Sequence, residues 1–214
     1  MALKHLAAVL AAAMLMVFPV SGSASAETFR IVGFGDSLMA GYGLGPGEGF
    51  TDRLQAALQG KGHDVEVANA GVSGDTTSGG LARIDWSVPD GTDLVILELG
   101  ANDMLRGVQP EVTRQNLDAM LQRLEKRGIP VLLAGMMAAP NLGADYGDAF
   151  NSIFPDLAKQ YDATLYPFFL DGVAGDRKLV LEDGMHPNSA GISRMVDGVM
   201  PFVERLILDR PSAS

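Results

Sequence analysis

The chain has 214 residues, no cysteine, three histidines and a formal net charge of −10 at pH 7. Nucleic acids and anionic membranes require a basic surface, so this acidic composition argues against both as partners. The lack of cysteine excludes a cysteine nucleophile, thiolate metal sites and disulfides, so the core must stabilise the fold without them.

Residues 1–26 are predicted to be a signal peptide. Lys4 gives a positive start, residues 6–20 are apolar, and Ala24-Ser25-Ala26 is typical of a cleavage site. An uncleaved anchor is the alternative, but about 15 apolar residues are fewer than the roughly 20 of a spanning helix. No second long apolar stretch follows. We therefore expect a periplasmic or secreted protein whose single soluble domain is formed by residues 27–214.

Short apolar runs alternate with amphipathic segments along the rest of the chain. Strands are predicted at residues 29–34, 65–68, 93–99, 129–136 and 164–168. Four helices are predicted: from an N-cap at Thr51 to Leu58, and over residues 111–127, 146–161 and 189–208. We expect Pro155 to break or kink the third of them and Pro201 to bend or break the last. This alternation favours a parallel sheet with right-handed crossovers and helices on both faces.

Three segments fit neither pattern, namely residues 41–49, 73–80 and 137–145. Each follows a predicted strand. Because open α/β sheets bind their ligands at the carboxyl ends of the strands, these segments are expected to surround a binding site.

Four short motifs occur in order at predicted strand exits. They are Gly35-Asp36-Ser37-Leu38, Asn69-Ala70-Gly71-Val72-Ser73-Gly74-Asp75-Thr76, Gly100-Ala101-Asn102-Asp103 and Asp183-Gly184-Met185-His186-Pro187-Asn188. Each alone is weak, because a single motif could be a turn, a surface contact or a capped strand exit. Their joint occurrence in this order favours a catalytic function.

The residues of these motifs fit serine catalysis. A serine needs a base, and the base needs a third group that fixes its tautomer. Asp183 lies three residues before His186, so its carboxylate can reach Nδ1 while Nε2 faces outward. The other histidines are weaker candidates, since His5 lies in the predicted signal peptide and His63 in a helix-to-strand turn that we interpret as solvated surface.

Together the motifs resemble the SGNH (GDSL) hydrolases, most closely the bacterial periplasmic arylesterase and thioesterase I group. The similarity also includes Gly41-Tyr42, Leu81-Ala82-Arg83 and residues 106–110 and 167–169, and it extends over nearly all of residues 29–206. It implies a flavodoxin-like α/β/α sandwich of three layers with five central parallel strands. It also implies roles for five residues: Ser37 as nucleophile and first oxyanion donor, Gly74 and Asn102 as further donors, Asp183 as orienting carboxylate and His186 as general base.

Two features depart from the family pattern. Many relatives have glycine where this chain has Ala101, and alanine is tolerated there unless the backbone has positive φ. Residues 138–143 resemble the arylesterase branch more than the thioesterase prototype. In relatives this loop borders the acyl pocket, and its apolar residues here favour short or medium acyl chains over sugars.

Other classes fit the sequence less well. An α/β-hydrolase elbow requires Gly-x-Ser-x-Gly, but Met39 occupies the last glycine position, and the dinucleotide motif Gly-x-Gly-x-x-Gly is broken at Leu38. No Walker A, His-Glu-x-x-His or calcium-loop pattern appears, so we expect neither cofactor nor metal. A non-catalytic acyl-binding periplasmic module remains an alternative on the same scaffold.

The sequence therefore predicts an exported serine esterase that hydrolyses aryl esters and short-to-medium acyl esters or thioesters through an acyl-enzyme. A lysophospholipase or a carbohydrate acetylesterase with the same triad is the nearest alternative. The expected partner is a small-molecule acyl ester or thioester, and a monomer is the default state.

Overall fold

The computed structural model of the protein describes residues 28–210. The predicted signal peptide, residues 1–26, lies outside them. Five strands form one sheet: β1 (Phe29–Gly35), β2 (Val65–Gly71), β3 (Leu94–Glu98), β4 (Val131–Ala134) and β5 (Thr164–Tyr166). All neighbouring pairs are parallel, and the strand order is β2-β1-β3-β4-β5. The predicted five-stranded parallel sheet is confirmed.

Helices cover both faces of this sheet. They are α1 (Ser37–Ala40), α2 (Phe50–Gly60), α3 (Thr77–Ser87), α4 (Ala101–Leu105), α5 (Pro110–Lys126), α6 (Ala144–Asn151), α7 (Ile153–Gln160) and α8 (Ser189–Leu208), with one 3₁₀ turn at Pro140–Leu142. Helix α2 packs against α8, whereas α3, α6 and α7 pack against α5. These two helical layers with the sheet between them are the predicted α/β/α sandwich.

The core lies along the central strands. Every residue of β3 is buried, as expected for a parallel strand covered on both faces. Large side chains of the sheet and of both helical layers, including Phe34, Phe50 and Phe154, are also buried. Burial of each such side chain contributes roughly 1.5–3 kcal/mol, and this anchors the strand ends from which the site loops emerge.

Several predicted helix boundaries were wrong. Helix α2 begins at Phe50, because the carbonyl of Gly49 already accepts the N–H of Arg53 at 3.0 Å. Thr51 is therefore buried inside the helix and is not its N-cap. Helix α3 was missed, since Gly79 and Gly80 weaken its pattern, yet Thr76 caps it by accepting the N–H of Gly79.

Pro155 interrupts the predicted helix as expected, but three residues earlier in the chain, whereas Pro201 does not break α8. The break between α6 and α7 is at Ser152, and Pro155 lies in the first turn of α7. A proline at 155 cannot donate to the carbonyl of Asn151, which is where α6 ends. Helix α8 runs without a break through Pro201, whose side chain is exposed. Across residues 28–210, no helix is long and apolar enough to cross a membrane.

Candidate active site

Ser37 lies at the carboxyl edge of the sheet, immediately after β1. The preceding Asp36 caps α1, because its Oδ1 accepts the N–H of Leu38 at 3.0 Å. Gly35 is required at the strand exit, since a Cβ there would overlap the carboxyl group and the backbone of Glu98. The turn therefore holds Ser37 in a fixed, nearly buried position.

The structure brings together the three residues predicted as a triad. His186 Nε2 is 2.8 Å from Ser37 Oγ, and His186 Nδ1 is 2.6 Å from Asp183 Oδ2. The sequence separation of 149 residues between Ser37 and His186 is closed by the fold. Such a chain of contacts can carry a proton from the hydroxyl to the imidazole while the carboxylate fixes the ring.

The loop that carries Asp183 and His186 is held by its own backbone. Asp183 Oδ1 accepts the N–H groups of Met185 at 2.9 Å and His186 at 3.0 Å. Gly184 has φ of 73°, which favours glycine at this position. These two backbone N–H groups, and then the His186 side chain, lower the pKa of Asp183 to about 2. The carboxylate is therefore ionised at neutral pH.

Tyr42 packs against the imidazole, a contact that sequence analysis did not predict. The ring centroids of Tyr42 and His186 are 4.5 Å apart and the planes are tilted by 39°. The Tyr42 N–H also donates to the carbonyl of Ser37 at 3.1 Å. Tyr42 thus supports the imidazole ring by direct contact, although 52% of the tyrosine surface remains exposed.

The two further predicted oxyanion donors lie on separate segments, Gly74 in a turn after β2 and Asn102 in the first turn of α4. Asn102 is in α4 and its Nδ2 donates to Asp36 Oδ2 at 2.9 Å. Gly100 takes a φ of 119°, whereas Ala101 has negative φ, so alanine is accommodated at that position. Gly74 has φ of 83°, and its carbonyl accepts Arg106 Nη2 at 2.7 Å.

Arg83 joins the Gly74 turn to the sheet. Its Nε donates to Asp75 Oδ2 at 2.7 Å. Its two terminal nitrogens donate to the carbonyls of Ala70 and Gly35, at 2.8 and 2.9 Å. The guanidinium also lies 4.0 Å from the ring centroid of Phe34. A buried arginine with all these contacts fixes the ends of β1 and β2 relative to the turn.

Asp103 provides a second anchor for this region. It is buried, and its Oδ2 accepts the N–H of Thr77 at 2.8 Å while its Oδ1 contacts the hydroxyls of Thr77 and Thr113. The contact joins the start of α3 to α4. Arg83 and Asp103 lie in sequence segments that resemble the family, but the sequence alone predicted no structural role for either residue.

A cleft of about 340 Å³ opens beside Ser37 and His186. Its wall is largely apolar and is formed mainly by Leu38, Met104, Leu105, Leu170, Val180 and Met185. The loop at residues 137–145 does not line this cleft. It contacts the cleft wall through Met104, whose sulfur is 3.1 Å from the backbone nitrogen of Ala139, so of the three segments expected to surround the site this one contributes no lining residue.

His63 is distant from this cleft and is not simply solvated surface as predicted. Its Nε2 is 3.2 Å from Glu204 Oε1, and Glu204 also pairs with Lys61 at 2.7 Å. Lys61 and then His63 lower the pKa of Glu204. Within residues 28–210 there is no cluster of three or more His, Asp or Glu side chains that could hold a metal ion.

Comparison with known proteins places this geometry in a family. Residues 34–193 match the GDSL-like Lipase/Acylhydrolase family. The Esterase TesA of Pseudomonas aeruginosa is 38% identical over 201 residues, which cover 94% of this chain and 99% of that protein.

Two further relatives have similar identity. The Arylesterase of Vibrio mimicus is 39% identical over 81% of this chain and 87% of its own length. The Thioesterase 1/protease 1/lysophospholipase L1 of Escherichia coli is 38% identical over 78% of each chain. Among solved structures, AlinE4, an SGNH-hydrolase family esterase, is 48% identical with a TM-score of 0.71, over 84% of this chain and 96% of its own.

Proposed function

The chain belongs to the GDSL-like lipase/acylhydrolase family of serine ester hydrolases, and we propose that it is an exported esterase that works through an acyl-enzyme. The observation that carries this proposal is the pair of contacts made by His186, at 2.8 Å to Ser37 Oγ and at 2.6 Å to Asp183 Oδ2. Both lie in the distance range that proton transfer and tautomer control require.

In the proposed mechanism, Ser37 Oγ attacks the carbonyl carbon of the ester while His186 Nε2 accepts the hydroxyl proton. The tetrahedral intermediate collapses when the imidazolium donates that proton to the leaving oxygen or sulfur, which releases the alcohol or thiol. Water, activated by His186, then attacks the acyl-Ser37 carbonyl, and Ser37 takes back its proton as the acid leaves. The Asp183 carboxylate stabilises the imidazolium in both steps.

The developing oxyanion is proposed to accept hydrogen bonds from three donors, namely the N–H groups of Ser37 and Gly74 and the side-chain amide of Asn102. Donors held in place before the reaction stabilise charge without reorganisation. The anchors around this region, Arg83 and Arg106, support such a fixed arrangement.

We propose aryl esters and short-to-medium acyl esters or thioesters as substrates. The cleft volume of about 340 Å³ is at the lower end of the roughly 300–1,000 Å³ typical of ligand sites, and its wall is largely apolar. The relatives named as an arylesterase and a thioesterase support the same classes. The name of the Escherichia coli relative also includes lysophospholipase, so a single-chain phospholipid is a second candidate substrate.

Export is proposed on the features of residues 1–26, which carry Lys4, an apolar segment and a small-residue cleavage site. Intact mass measured on protein from the periplasm or the medium tests it, with cleavage after Ala26 as the expected result. A membrane-bound product that retains Met1 would contradict it.

Two variants test the catalytic assignment. Ser37→Ala and His186→Ala should each lower kcat/KM by several orders of magnitude on a p-nitrophenyl ester, and Ser37→Ala should abolish labelling by a fluorophosphonate. Ser193→Ala on α8 and His63→Ala are matched controls, since neither residue lines the cleft. A wild-type protein that binds esters but takes up no fluorophosphonate would instead be an acyl-binding module.

The substrate class is tested by a chain-length series. Purified protein is assayed with p-nitrophenyl and acyl-CoA substrates of increasing acyl length, with a lysophospholipid and with an acetylated sugar. A maximum of kcat/KM at short or medium chains supports the proposal, whereas a preference for the lysophospholipid or for acetylated sugars would replace it.

A further inference from the structure

Two carboxyl groups are buried together beneath Ser37. Asp36 and Glu98 each have 0% exposed surface. Glu98 ends β3 and lies opposite Gly35 in the sheet register, and its Oε2 accepts the N–H of Asp36 at 3.1 Å. Removal of one carboxylate from water costs several kcal/mol, and two adjacent negative charges repel each other. The pair is therefore far more stable with one proton than with none.

The hydrogen bonds around the pair are unevenly distributed. Asp36 accepts the N–H of Leu38 on Oδ1 at 3.0 Å and the amide of Asn102 on Oδ2 at 2.9 Å. Glu98 Oε1, by contrast, is buried without a hydrogen-bond partner among the described residues. Donors stabilise a negative charge, so the charge belongs on Asp36 and the proton on Glu98.

The pKa directions agree with this assignment. Burial, and then the neighbouring Asp36 carboxylate, raise the pKa of Glu98 well above its ordinary value. The backbone N–H groups of Asp36 and Met39 oppose this shift without reversing it. Burial also raises the pKa of Asp36, but the N–H of Leu38 and the amide of Asn102 oppose that shift. The hydrogen bond between the two side chains lowers the pKa of Asp36 and raises that of Glu98, as expected when Glu98 carries the shared proton.

We propose that Asp36 and Glu98 act as one buried acid pair, with Glu98 neutral and Asp36 negative, which positions the side-chain amide of Asn102 for the oxyanion. This inference rests on the proposed role of Asn102 as an oxyanion donor. Asp36 and Glu98 are positioning residues, because they act on the reaction through Asn102.

The chemistry of the amide explains why the charge state matters. An asparagine amide has a donor end and an acceptor end, and rotation by 180° exchanges them. An ionised carboxylate only accepts, so Asp36 selects the orientation in which Nδ2 faces the site, and the second Nδ2 hydrogen remains for the substrate. A protonated Asp36 could donate to the Asn102 oxygen and stabilise the reversed amide. The proton on Glu98 therefore keeps Asp36 an acceptor.

Gly35 supports the pair by its lack of a side chain. A Cβ at this position would overlap the Glu98 carboxyl group, so glycine at the strand exit leaves room for a carboxyl group at the end of β3. The glycine that opens the serine motif thus also accommodates the acid pair.

Steady-state kinetics test the positioning role. Asp36→Asn should lower kcat by about 10²-fold, comparable to loss of an oxyanion donor, and leave KM within about twofold. The reason is that the new amide can donate a hydrogen bond to the Asn102 oxygen and so stabilise the Asn102 amide in its rotated orientation. Glu98→Leu should also lower kcat, and Glu98→Gln should restore most of that loss, since a neutral amide replaces a neutral acid. Glu125→Gln, an exposed position on α5, is the matched control. An Asp36→Asn enzyme with wild-type kcat would overturn the positioning role.

Infrared spectroscopy tests the protonation state without any reference to activity. Wild-type protein labelled with ¹³C-glutamate should show the carbonyl stretch of a protonated carboxylic acid at neutral pH. The band should persist in Glu125→Gln and vanish in Glu98→Gln. Its absence from the wild type would overturn a neutral Glu98, even if Glu98→Leu fails to fold. If the wild-type protein shows this band but hydrolyses no ester, the proposed function and the positioning of Asn102 would be contradicted. The protonated state of Glu98 would still be supported.

Discussion

Arg106 Nη2 donates a hydrogen bond of 2.7 Å to the carbonyl oxygen of Gly74. The backbone N–H of Arg106 in turn donates to the carbonyl of Asn102 at 3.1 Å, so one residue contacts both the turn of Gly74 and the helix of Asn102, the two proposed oxyanion donors besides Ser37. Because Gly74 has positive φ and no side chain, its turn depends on such outside contacts for its orientation.

Arg106→Ala should therefore lower kcat by up to about tenfold with little change in KM. A hydrogen bond from a charged donor contributes about 1.5–3 kcal/mol, but this one is exposed and solvent reduces its effect. Kinetics on a p-nitrophenyl ester provide the measurement. Arg177→Ala removes the same charge from an exposed loop position and controls for general electrostatics. Equal kcat values in both variants and the wild type would show that Gly74 needs no support from Arg106.

Asn102→Ala separates an oxyanion donor from a turn residue. An amide that bonds the transition state more strongly than the substrate acts on kcat, so we expect a loss of roughly 10²–10³-fold, about 3–4 kcal/mol, with KM nearly unchanged. Asn141→Ala, at an exposed position, is the control. Kinetics and melting temperature are measured together, and a destabilised variant with near-normal kcat would remove Asn102 from the catalytic set.

Asp183→Asn should reduce kcat less than His186→Ala, because orientation of the imidazole is a supporting role. The pKa of Asp183 is lowered from its ordinary 3.8 to about 2, so its stabilising effect is complete above pH 3.8 and is lost as the pH falls toward 2. The difference in melting temperature between wild type and Asp183→Asn should therefore shrink below about pH 4. A difference that already shrinks between pH 7 and 5 would contradict an ionised Asp183 throughout that range.

The sheet could be predicted because its signal is local and strong. The runs at residues 94–97 and 131–134 are apolar throughout, as parallel strands covered on both faces require. The contact between Asp183 and His186 was also predictable, since both residues share one tight loop. The meeting of Ser37 with His186 was implied by the family resemblance and not by the position of strand ends, because His186 lies 20 residues after the end of β5.

The remaining features depend on tertiary packing and leave little trace in periodicity. Helices α1 and α4 have four and five residues, too few for a repeat, and the glycines of α3 conceal its pattern. Some side chains join segments that are distant in the sequence, although from the sequence they would be expected only at the surface. Examples are the contacts of Tyr42 with His186 and of Arg106 with Gly74. The sequence did contain one signal of the buried acid pair, because Glu98 is the single charged residue of β3 and the other four residues are apolar.

The stability of the protein should report the proton on Glu98 through its dependence on pH. The pKa of this residue is raised in the folded state by burial and then by the Asp36 carboxylate, whereas the unfolded chain releases the proton near the ordinary value of 4.5. Above pH 4.5 the folded state therefore binds more protons than the unfolded state, and the free energy of unfolding falls as the pH rises, by up to about 1.4 kcal/mol per pH unit for one proton.

Glu98→Gln removes this proton from both states, so the variant should gain stability relative to the wild type as the pH increases. We expect the melting temperature of Glu98→Gln minus that of the wild type to rise steadily between about pH 5 and pH 8. The same difference for Glu125→Gln should stay flat, because that side chain is exposed on α5. Since melting is measured without substrate, the result does not depend on catalysis. A flat difference for Glu98→Gln as well would mean that Glu98 releases its proton at its ordinary pKa in the folded protein, and that the buried pair carries two negative charges.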